Sequence, residues 1–99
     1  MRVGITTDLR HSMFSSGQTN TCFAVAKVFE SLGHEVIFIH RQENADWWDD
    51  TVEFKKNAPK RYFLESYIAK EPPLDLLIEI AFNTTPNERP RICKTCVWY

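Results

Sequence analysis

The chain has 99 residues, 43% of them hydrophobic and 25% charged, with three cysteines and a formal net charge of -1 at pH 7. That length holds one domain with a small core, in which folding removes about two thirds of the unfolded chain's surface from water, and the composition argues against disorder. The charge balance lacks the Lys and Arg excess that draws nucleic acid or an anionic membrane onto a surface, and no apolar run reaches the ~18 residues of a bilayer span.

The opening segment, Met1-Arg2-Val3-Gly4-Ile5 followed by Thr6-Thr7-Asp8, has neither the long apolar region nor the small-residue cleavage site of a secretory signal. Only Cys93 and Cys96 lie close together among the three cysteines, which argues against a disulfide framework. A cytoplasmic location is the expectation.

Arg2 to Thr7 reads as a short strand that ends at Asp8 and a polar loop running through Ser15-Ser16-Gly17. Thr19, Asn20 and Thr21 are acceptable N-caps for a helix whose Cys22, Val25, Phe29 and Leu32 recur at spacings of three and four, widened by Ala26. Gly33 is placed to terminate it. The uninterrupted apolar run Val36-Ile37-Phe38-Ile39 then suits a strand covered on both faces, which is the habit of parallel strands. Strand, loop, helix and strand make a βαβ unit with a right-handed crossover.

Between Arg41 and Lys70 the pattern weakens. Val52 to Phe54 suits a small edge strand, and Tyr62, Phe63, Leu64, Tyr67 and Ile68 suit one side of a short helix ended by Pro72-Pro73. Leu74 to Phe82 is a second buried-strand run, broken only by Asp75 and Glu79 and stopped by Asn83-Thr84-Thr85-Pro86. Asn87 to Lys94 reads as a short polar or helical connection, and Cys96-Val97-Trp98-Tyr99 as the start of another strand. The expected architecture is α/β: a Rossmann-like three-layer α/β/α domain with a mostly parallel sheet, incomplete or truncated because the chain stops on a strand.

In open parallel sheets ligands bind beyond the carboxyl ends of the strands, where the strand order reverses. That rule singles out Asp8, Ser15, Ser16 and Gly17 after strand one, His40 and Arg41 after strand two, and Asn83 and Thr84 after the Leu74 strand, provided that the weak middle region supplies a third strand. Neither a G-x-G-x-x-G fingerprint nor a phosphate-loop Gly-Lys-Ser/Thr is present, so no nucleotide cofactor is implied. Gly17 and the serines also suit a plain solvated turn, and Asp8 a strand-end cap. Cys93-Lys94-Thr95-Cys96 has redox or zinc spacing, but it precedes the last strand and lacks further ligands at usable spacing, so two buried thiols are the simpler reading. Trp47-Trp48 suits a lid on the core better than a sugar platform. Glu79, inside an apolar strand, needs a partner, solvent or a tuned pKa, and a satisfied structural carboxylate is preferred. No metal site and no catalytic residue stands out.

Taken together, Met1-Arg2-Val3-Gly4-Ile5, the Ser16-Gly17 loop, the long helix, Ser31-Leu32-Gly33-His34-Glu35-Val36 and the strand Leu74-Asp75-Leu76-Leu77-Ile78-Glu79 resemble the N-terminal domain of GT-B-fold glycosyltransferases. The resemblance implies an acceptor-side domain for a small-molecule or glycan acceptor, with Ser15, Ser16 and Gly17 as acceptor-side or interdomain surface. It further implies that a C-terminal donor-binding domain is missing, so that this chain alone transfers no sugar. Only Gly17 stands where the family often has paired glycines. The alternative from another class is a non-catalytic Rossmann-like module that binds a small ligand or pairs its last strand edge with another chain.

Overall fold

A computed structural model describes residues 1–7, 17–41 and 60–98 of the chain. Its elements are β1 (Arg2–Thr6), α1 (Gly17–Ser31), β2 (Glu35–His40), β3 (Lys60–Phe63), α2 (Leu64–Lys70), β4 (Leu74–Glu79), α3 (Arg89–Ile92) and β5 (Cys93–Trp98). The five strands form one sheet in the order β3-β2-β1-β4-β5, and every pairing is parallel. The middle of the chain does supply the third strand, through Lys60–Phe63, and this leaves β4 free to pair with β1 on its other side.

Strand alternation divides the core in two. Val3, Ile5, Val36, Phe38 and Ile78 pack under α1 through Cys22 and Ala26. Ile37, Ile39, Leu74 and Leu77 pack under α2 and α3 through Leu64, Tyr67 and Ile92. The result is the expected three-layer α/β/α arrangement. Both faces of the inner strands are thus covered, which explains why Val36 to Ile39 and Leu76 to Ile78 read as continuous apolar runs rather than alternating ones. Phe23 meets Phe38 edge to face with ring centroids 5.0 Å apart, and so locks α1 onto β2.

Gly33 ends α1 as its position implies. At φ +86 it lets its own N–H reach the Glu30 carbonyl at 3.0 Å and the His34 N–H reach the Phe29 carbonyl at 3.1 Å, the paired bonds of a Schellman turn. Glu35 then enters β2 opposite Arg2.

Four boundaries differ from the sequence reading. α1 begins at Gly17, so Thr19, Asn20 and Thr21 are helical rather than caps, and Leu32 lies past the last turn, exposed. Tyr62 and Phe63 belong to β3, because pairing with Ile39 and His40 outweighs their place on a helical stripe. β4 stops at Glu79 rather than Phe82. β5 starts at Cys93, so the Cys-x-x-Cys segment lies inside the last strand and not before it. The Val52–Phe54 strand and the Trp47-Trp48 pair lie outside the described residues.

Candidate functional site at the carboxyl edge of the sheet

The chain leaves β1 toward β2 on one side and returns through β4 on the other, so the strand order reverses between β1 and β4. The chemistry at that edge starts with Thr6. Its hydroxyl accepts the N–H of Ile80 at 2.8 Å, with those of Ala81 at 3.2 Å and Phe82 at 3.4 Å, and donates to the Phe82 carbonyl at 3.0 Å. This is the physical reason that β4 ends early. Beyond Glu79 the Ile80 and Phe82 N–H groups turn to this side chain, and the Ala81 N–H is shared between it and the Thr6 carbonyl at 3.3 Å. Next to it, the Thr7 N–H donates to the Ile39 carbonyl at 2.8 Å, while the fully buried Thr7 hydroxyl has no partner among the described residues.

Glu79 is buried at the end of β4, and its carboxylate is satisfied on both oxygens. Oε2 accepts the Thr84 N–H, and the Thr84 hydroxyl at 3.3 Å. Oε1 accepts the Cys96 thiol at 2.6 Å and the Trp98 indole N–H at 3.0 Å. The Arg89 guanidinium, which donates to the Thr84 carbonyl at 2.9 Å, stands 3.9 Å from the same carboxylate. Glu79 therefore ties β5 and the loop after β4 to the strand end, as the structural reading expected.

A second clamp closes the same loop from the β2 side. Arg41, just past β2, donates to both Glu88 oxygens at 3.1 and 2.8 Å and to the Asn83 carbonyl at 3.1 Å, while its guanidinium lies 4.7 Å from the Phe82 ring centre. Such fork-to-fork pairing is the stronger kind of ion pair. The Arg41 partnership and the N–H of Thr85 hold the Glu88 carboxyl well below its ordinary range, at about 2. Thr85 and Glu88 also bond reciprocally, Thr85 N–H to the Glu88 carboxylate at 2.8 Å and Glu88 N–H to the Thr85 hydroxyl at 3.2 Å. That is a capping box, and its Thr-x-x-Glu spacing is present in the sequence as a signal that could have located this clamp.

Of the residues expected to bind substrate, Asp8, Ser15 and Ser16 lie outside the described residues, and Gly17 is the first residue of α1. Asn83 and Thr84 come to the reversal point with opposite roles. Thr84 is buried, with its N–H, hydroxyl and carbonyl all spent on Glu79 and Arg89. Asn83 is exposed, and its carboxamide is unbonded among the described residues. His40 and Arg41, singled out after β2, are a buried side chain and a cation paired to Glu88.

The Cys-x-x-Cys thiols are poor nucleophiles here. Burial, and then the bond to Glu79, push Cys96 up to about 12, and burial raises Cys93 as well. Among the described residues no group of three His, Cys, Asp or Glu side chains is placed to hold a metal ion, and no helix is long and apolar enough to cross a membrane. A hollow beside α3 and β5, rimmed by Pro73, Pro86 and Pro90, shares Arg89 and Cys96 with the Glu79 cluster.

Comparison of the chain with protein-family models, with curated proteins and with solved structures finds no match.

Proposed function

We propose that this chain is the acceptor-side, N-terminal domain of a GT-B-like glycosyltransferase, which holds a small-molecule or glycan acceptor at the carboxyl edge of its sheet and depends on a donor-binding domain for transfer. The observation that carries the reading is the β3-β2-β1-β4-β5 parallel sheet with an ordered polar loop, residues 80–88, at the β1/β4 reversal. Such an edge is where α/β sheets of this order receive ligands. The sequence resemblance of the β1, α1 and β4 segments supplies the family.

In this reading the chain contributes positioning and no chemistry. The loop after β4 presents Asn83 to the acceptor, and the nucleotide-sugar is gripped by the second domain. The decisive test is the reading frame of the parent gene past Tyr99, combined with saturation-transfer NMR of the 99-residue chain against free glycosides. Continuation into a second Rossmann-like domain, with glycoside binding to this one, supports the proposal. A stop codon at Tyr99, or no glycoside bound, overturns it.

A second reading has its own observation. Val97 and Trp98 on the edge strand β5 are 42% and 72% exposed, an apolar edge suited to pairing with another strand. Concentration-dependent self-association abolished by Trp98→Lys supports this interaction module, and a monomer at millimolar concentration removes it.

A further inference from the structure

We infer that Asn83 is the group with which this edge reads an uncharged, hydroxyl-bearing ligand, and that Thr6, Glu79 and the Arg41–Glu88 pair act as positioning residues for it. The inference rests on the acceptor-domain reading and narrows it to one residue and one ligand chemistry.

The loop from Ile80 to Thr85 is pinned through most of its backbone N–H groups. Thr6 receives the N–H groups of Ile80, Ala81 and Phe82, Glu79 that of Thr84, and Glu88 that of Thr85. Arg41 holds the Asn83 carbonyl. What remains at the centre is the Asn83 carboxamide, exposed and unbonded among the described residues. A side chain without a partner among the described residues, carried on a clamped backbone, is the arrangement that lowers the entropy lost on binding.

The chemistry of the ligand follows from what is left over. A carboxamide offers two N–H donors and one acceptor oxygen, which matches a sugar hydroxyl that must both give and take a hydrogen bond. The two cations at this loop among the described residues are both engaged, Arg41 in a two-point pair with Glu88 and Arg89 on Thr84 and beside the Glu79 carboxylate, so an anionic ligand finds no uncompensated charge there. Phosphate and carboxylate groups are therefore disfavoured at this position.

The test is titration of the isotope-labelled 99-residue chain with the methyl glycosides of glucose, galactose, mannose and N-acetylglucosamine, and separately with inorganic phosphate, followed by amide and carboxamide NMR shifts. One of the glycosides is expected to move the Asn83 side-chain NH2 and backbone signals, with Asn83→Ala weakening it about tenfold while the remaining spectrum stays native. Glu88→Gln is expected to leave the core signals unchanged, to loosen the Asn83 amide on the ps–ns timescale and to weaken the same glycoside. Glycoside binding that leaves Asn83 and the Asn83→Ala affinity untouched overturns this inference but not the acceptor reading. Phosphate binding with Arg41 released from Glu88, in place of glycoside binding, overturns it in favour of an anion site. Binding of no glycoside removes the acceptor reading and this inference together.

Discussion

Glu79 and Trp98 face each other in the β4–β5 register, and the indole N–H donates to Glu79 Oε1 at 3.0 Å. Trp98 is 72% exposed, so its ring lies in solvent while its one polar atom reaches a buried carboxylate. The bond gives the outermost strand a polar anchor in addition to its ladder. Removing the carboxylate leaves the Thr84 N–H and the Trp98 indole without an acceptor. Glu79→Ala is expected to cost about 3 kcal/mol, and Glu79→Gln, which keeps one acceptor oxygen, about 1–2 kcal/mol. Urea unfolding followed by Trp fluorescence measures both, and equal losses for the two variants would show that the carboxylate's acceptor role is not what stabilises β5.

The Arg41–Glu88 clamp carries a pH dependence. Glu88 is held at about 2 in the folded chain against an ordinary 4.5, so the folded state favours the ionised form. Its stabilisation is complete above about pH 4.5 and disappears as pH falls toward 2. Both side chains remain partly exposed, which reduces the contribution to about 1 kcal/mol. Acid titration of the unfolding midpoint is expected to show this loss in the native chain and a shallower one in Glu88→Gln. Parallel curves for the two proteins would remove the clamp from the account of acid stability.

The thiols offer a kinetic test. Cys22 is buried, Cys93 is buried and raised, and Cys96 is pushed up to about 12. At neutral pH almost none of the last two is thiolate, so a disulfide reagent such as DTNB is expected to react slowly with the native chain and to reach all three cysteines only in urea. Rapid modification of one thiol in the native state would restore a redox reading of the Cys-x-x-Cys segment.

Gly4, in the central strand β1, is required by packing rather than by backbone conformation. A methyl group there runs into Leu74 Cδ1 and comes to 3.2 Å from Leu77 Cδ1, both in a fully buried layer. Gly4→Ala is expected to lose about 1–3 kcal/mol. Leu74→Ala alone also destabilises, by about 2–5 kcal/mol, but the double variant should lose less than the sum because the new methyl fills part of the space vacated. Strict additivity in a double-mutant cycle would place the cost elsewhere.

Much of this architecture is legible in local patterns. The β1-α1-β2 unit follows from apolar runs long enough for strands covered on both faces, a helical stripe through Cys22 and Ala26, and a glycine where the helix must turn back. The reversal point and Asn83 follow in turn, since any strand after Pro73 that pairs with β1 must present its exit loop there. Glu79 is visible as an anomaly because a charge inside an apolar run demands partners.

The identity of those partners is not local. Trp98 and Cys96 stand 19 and 17 residues from Glu79, and Arg41 stands 47 from Glu88; no periodicity links such pairs, and only strand order brings them together. The same holds for β3, whose Tyr62 and Phe63 fit a helical stripe by sequence and become strand because the edge of β2 is available to pair with them. Local sequence by itself determined which segments are strand and helix through most of the described chain, because burial period and turn residues act over a few positions. Tertiary structure decided where β4 ends, which carboxylate is clamped and which amide has no partner among the described residues, because each depends on hydrogen bonds between segments that meet only after the sheet has formed.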